Sequence, residues 1–77
     1  MIRIYADFNC QDEQGRVTLD TAGSLKDVER HRTRLEEGMK VILYTPGDCE
    51  VRGILTYDGI WRGIPDWDTI RHYKTKD

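Results

Sequence analysis

The chain has 77 residues, 34% of them charged and 38% apolar, with a formal net charge of −2. That length fits a single domain over residues 1–77, and the acidic balance argues against a general nucleic-acid coat, which needs an excess of Lys and Arg. No apolar run approaches the roughly 18 residues of a membrane-crossing helix, and "MIRIYADFNC" reads as a strand rather than a signal peptide, so the cytoplasm is the expected location and no membrane partner is expected.

A domain this short buries only about 60% of the surface its unfolded chain exposes. Its core holds roughly ten to fifteen side chains, and self-association is one way to add stability.

Residues 2–8 alternate, with Ile2, Ile4, Ala6 and Phe8 on one face and Arg3, Tyr5 and Asp7 on the other. This is strand periodicity. A polar turn follows, then a second strand over 16–21 with Val17 and Leu19 on one face. The two strands read as a hairpin with a long acidic loop.

"SLKDVERHRTRLEEG", 24–38, is the helical segment. Ser24 is placed to cap it, Asp27 to complete an acidic capping box, and Gly38 to stop it. Leu25, Val28, Leu35 and Met39 share a thin stripe interrupted by Arg32. A shorter helix over 24–32 followed by extended chain is the alternative.

"MKVILYT", 39–45, is a strand, "PGD" a turn, and "EVRGILTY", 50–57, the next strand. Asp58-Gly59 is the strongest hairpin signal. A three-residue loop with a bulge pairs Tyr57 with Trp61 and Leu55 with Gly63, and is preferred to a two-residue loop because the large apolar groups then share a face. Pro65 ends strand 60–64, "DWDT" makes one 3₁₀ turn, "IRHY" is a short closing strand, and 73–77 is a frayed tail. Gly53 and Gly63 let strands bend or let Trp61 lie over backbone.

This element order resembles a small SH3-like barrel, most specifically over "LEEGMKVILYTPGDCEVRGILTYDGIWRGIPDWDTI", 35–70. The chain is also similar to a family of short uncharacterised bacterial proteins. The resemblance implies a mainly β fold: an antiparallel barrel of five or six short strands with one short helix between strands two and three. It implies no activity.

Trp67 in "PDWDT" has two readings. It plugs the barrel end while Asp66 or Asp68 caps the turn, or it is an exposed platform with Asp66 and Asp68 as acceptors. The plug is preferred. As a binding surface, Tyr44, Asp66, Trp67, Asp68, Arg71 and Tyr73 are the candidate residues. In "KDVERHRTR" a helix would place Lys26, Arg30 and Arg34 within about 80° of one another, a stripe able to touch phosphates. Asp27, Glu29, Glu36 and Glu37 dilute it, and Arg32 can pair with Glu36.

Cys10 and Cys49 lack Cys-x-x-Cys spacing, so two free thiols are expected, with a disulfide the less favoured alternative. His31, His72, the cysteines and the aspartates show no metal-ligand spacing, and no metal or cofactor is expected. A Cys-His pair exists on paper, but the acids beside Cys49 raise its pKa, and so small a barrel offers no deep pocket. There is no phosphate-binding Gly loop. The reading is a non-enzymatic protein-interaction or assembly module, with an unknown protein partner. RNA or ribosome association through Lys26, Arg30 and Arg34 is the first alternative. Self-association through a sheet edge or aromatic surface is the second.

Overall fold

A computed structural model describes residues 1–73. The order is β1 (Arg3–Tyr5), β2 (Val17–Thr18), α1 (Ala22–His31), a 3₁₀ turn (Arg32–Arg34), β3 (Lys40–Thr45), β4 (Cys49–Asp58) and β5 (Ile60–His72). The fold is mainly β: five strands form one curled half-barrel sheet, with a short helix between the second and third. No helix among the described residues is long and apolar enough to cross a membrane.

The sheet order is β1-β3-β4-β5-β2. β3, β4 and β5 make an antiparallel meander, while β1 joins β3 in parallel and β2 joins β5. The expected β1–β2 hairpin is therefore wrong. A local turn does form between them: Asp12 accepts the Gln14 and Arg16 amides, and Thr18 N–H donates to Cys10 O. Sequence adjacency favoured pairing the two strands. Instead β1's apolar face, Ile2, Ile4 and Ala6, fills the core beside Val41 and Leu43.

Inward residues of the meander are Val41, Leu43, Cys49, Val51 and Leu55, all buried. The β4–β5 loop has the preferred register, with Tyr57 opposite Trp61 and Leu55 opposite Gly63. Gly59 adopts a φ of 74°, which an L-residue side chain disfavours. The side chain nearest these glycines is not that of Trp61. It is that of Leu43: a Cβ on Gly53 or Gly63 would sit 2.8 or 2.7 Å from Leu43 Cδ1.

Pro65 does not end the strand, since it pairs with Gly53 and β5 continues to His72. Nor is "DWDT" a 3₁₀ turn. Between Asp66, opposite Arg52, and Arg71, opposite Glu50, β5 inserts Trp67–Ile70 against Val51 alone. This large bulge is held by Asp66, whose carboxylate accepts Asp68 N–H at 3.2 Å and whose carbonyl accepts Thr69 Oγ1–H at 2.7 Å. Of the expected tail, Tyr73 is tied down by its N–H to Asp48 O at 2.8 Å. Residues 74–77 lie outside the described residues.

The helix starts earlier than expected. Thr21, not Ser24, is its N-cap, and it ends at His31, close to the shorter alternative. Gly38 does not stop it; it lies in the turn before β3, with a φ of 82°. The chain between is not extended throughout, because Arg32–Arg34 form the 3₁₀ turn. Arg32 pairs with Glu29 at 3.6 Å instead of Glu36. The buried helix face is Ser24, Asp27 and Val28, and Leu25 is 50% exposed.

The reason for this rotation lies in β1. As an edge strand it presents unpaired backbone groups, which a sheet must pair or cover. Asp27 Oδ2 accepts Tyr5 N–H at 2.8 Å, and Ser24 Oγ–H donates to Tyr5 O at 2.6 Å. Two polar side chains of α1 thus take the place of a missing neighbour strand.

Candidate functional site

Where α1 closes over β1, the N-terminal end of β3 lies nearby and an open groove of about 500 Å³ remains. Arg30, His31 and Arg34 approach it from the helical segment, Arg3 from β1, and Lys40 and Tyr44 from β3. Asp27 is the one carboxylate among the described residues lining it, and its oxygens are already engaged. Oδ2 accepts from Tyr5 N–H and from Tyr44 Oη–H at 3.1 Å, and Oδ1 lies 4.0 Å from Arg30 Nη1. Burial, with the hydrogen bond to Asp27, pushes the Tyr44 hydroxyl above its ordinary pKa. It stays protonated and donates.

Arg3 joins this groove to the outer sheet face. Its guanidinium lies 4.8 Å from the centroid of the Tyr44 ring. It also donates to Tyr73 Oη at 2.9 Å and to Glu50 Oε1 at 3.3 Å, while Tyr73 Oη–H donates to Glu50 Oε1 at 2.9 Å. The Tyr73 hydroxyl, aided by Arg3, holds the Glu50 carboxyl below its usual range. The same hydroxyl, with Glu50, raises the Arg3 pKa. Arg34 and Lys40 have no carboxylate within ion-pair distance among the described residues.

The expected site residues are divided between two places. Tyr44, Arg30 and Arg34 meet in the groove, and Lys26 does not line it. Tyr44 and Tyr73 are linked through Arg3 and Glu50, and Arg71 is the ladder partner of Glu50. Asp66, Trp67 and Asp68 sit on the β5 bulge instead. Trp67 is 44% exposed and packs on Phe8 with ring centroids 5.5 Å apart. It half-covers Phe8 and is not the buried plug preferred from sequence.

Reading the sequence alone missed Arg3 and Lys40 as members of the groove. Arg3 looked like the solvent face of an ordinary strand, and only the β1–β3 pairing puts it near the helix. Also missed was the meeting of Asp48, Cys49 and His72, whose ligand-type atoms lie within 4.8 Å of one another. Cys10 and Cys49 are both free thiols. Burial, then Asp48, pushes the Cys49 thiol pKa up; burial, then Asp7, does the same for Cys10.

Comparison with family models, curated proteins and solved structures finds no match.

Proposed function

We propose that the protein is a non-enzymatic binding module whose groove between α1, β1 and β3 holds the phosphate backbone of RNA. The observation that carries this reading is the gathering of Arg3, Arg30, Arg34 and Lys40, of which Arg3 pairs with Glu50 and Arg30 with Asp27, in a chain whose net charge is −2. The cation excess is local, so it does not follow from bulk composition. Guanidinium groups suit phosphate oxygens through their fork of donors, and the half-buried Tyr44 ring adds an aromatic surface of the kind single-stranded bases stack on. The curled half-barrel is compatible with the SH3-like resemblance, which by itself implies no activity.

The test is fluorescence anisotropy with a short single-stranded RNA over a salt series. Each phosphate contact contributes about −0.7 to the slope of log affinity against log salt. Three or four contacts therefore give a slope of about −2 to −3. R30E/R34E is expected to weaken binding by about tenfold or more while circular dichroism is unchanged. Salt-insensitive binding, or full binding by the double reversal, overturns the reading.

A second reading, protein docking or self-association, is favoured by the half-exposed Trp67 beside Phe8, with Asp66 and Asp68 around it. W67A separates the two. It leaves RNA affinity unchanged under the groove reading. It abolishes a protein contact, seen as a change in sedimentation or pull-down, under the other.

A further inference from the structure

We propose that Asp48, Cys49 and His72 form a binding site for a divalent metal ion of the zinc class, at the end of the sheet where the β3–β4 turn meets the last residues of β5. The site shares no residue with the lining of the basic groove and does not rest on the groove's proposed function. Its backbone is fixed in two ways. Cys49 and His72 are cross-strand partners in the β4–β5 ladder. Asp48 is held by its carbonyl, which accepts Tyr73 N–H at 2.8 Å, while its own N–H closes the turn onto Thr45 O at 3.1 Å.

Cys49 is buried, while Asp48 and His72 are exposed. One anchored sulfur therefore faces two ligands that are free to turn. One carboxylate oxygen, the Cys49 sulfur and one imidazole nitrogen all come within 4.8 Å of one another. Zinc bonds of about 2.3 Å to sulfur and about 2.0–2.1 Å to nitrogen or oxygen set tetrahedral ligand atoms about 3.3–3.7 Å apart. The site must tighten by about 1 Å, which rotation of the two exposed side chains can supply. Neither these side chains nor that of Cys49 makes a hydrogen bond or ion pair among the described residues, so no contact is given up.

Thiolate and imidazole select a borderline-soft ion such as Zn²⁺ or Co²⁺ over Ca²⁺ or Mg²⁺, which take oxygen ligands. Three protein ligands leave the fourth position to water. The bulge creates the site. Carried straight on from Arg52 opposite Asp66, the ladder would set Thr69 opposite Cys49. The inserted residues put His72 there.

The experiment titrates the reduced full-length protein with Co²⁺ alone, then displaces it with Zn²⁺. The expected result is a saturable 1:1 complex with a thiolate-to-cobalt charge-transfer band and tetrahedral visible absorption. Zn²⁺ in excess should raise the melting temperature by several degrees, because an ion that binds only the folded state stabilises it by mass action. D48N and H72A, both at exposed positions, should each weaken binding by about tenfold or more with unchanged circular dichroism. C49S should remove the charge-transfer band, and C10S should leave every readout as in the parent. Absence of saturable micromolar binding, parental affinity in H72A, or a band that follows Cys10 would each overturn the proposal.

Discussion

A Cβ placed on Gly63 would lie 2.7 Å from Leu43 Cδ1 and 3.0 Å from Cδ2; one on Gly53 would also meet the Ile64 carbonyl oxygen at 3.1 Å. Neither glycine is needed for its φ, since the positive values fall at Gly15, Gly38, Gly47 and Gly59. Their role is to be absent of side chain. A leucine from β3 reaches across the concave face and lies against the β4 and β5 backbones, which sets how tightly the sheet curls. Overpacking a filled core costs about 1–3 kcal/mol, and G63A is expected to lose that much stability in urea denaturation. L43V removes the Cδ atoms that G63A would strike. The double variant should therefore cost clearly less than the two single losses added together. Strict additivity would show that Leu43 and Gly63 do not meet.

Among the elements, α1 is the one whose role departs most from its sequence pattern. The Ser-x-x-Asp spacing at Ser24 and Asp27 matches a capping box, and the apolar stripe suggested docking through Leu25. Thr21 caps the helix, and the two polar residues face inward to complete β1's edge. That use was not legible, because it depends on a strand some twenty positions away that a local pattern does not identify. The cost of removing it can be stated. D27A leaves the Tyr5 amide and the Tyr44 hydroxyl without their acceptor; the Tyr44 hydroxyl lines the open groove and can turn to water, so the loss falls mainly on the Tyr5 amide, about 1 kcal/mol or more. Hydrogen exchange gives the specific readout: the Tyr5 amide should lose protection in D27A ahead of the Leu43 and Val51 amides. Equal protection of Tyr5 in parent and variant would mean that the helix does not seal that edge.

For the whole molecule, legibility followed sequence distance. The β3–β4–β5 meander and its three-residue loop were readable, because Asp58-Gly59 and the alternation on each side act locally. Asp66–Thr69 was misread because a bulge and a 3₁₀ turn share the same Asx chemistry, and only the partner strand tells them apart. The basic groove was half visible as the Arg30 and Arg34 stripe. Arg3 and Lys40 enter it through the parallel β1–β3 pairing, for which the sequence carries no local mark. The Asp48, Cys49 and His72 cluster stayed hidden because its register is shifted by the same bulge.

The parallel pairing of β1 with β3 also governs the order in which the molecule is built. Closing a long loop costs more chain entropy than closing a short one, and contacts between distant residues slow folding. The meander has only short loops to close, whereas Arg3 must find Ile42 and Val17 must find Gly63. V51A should therefore slow folding, and I4A should mainly speed unfolding; the reverse pattern in a chevron analysis would place β1 in the nucleus. During synthesis the order is inverted. Ile2, Ile4 and Ala6 leave the ribosome ahead of β3, so this apolar face travels uncovered until the strand that shelters it has emerged.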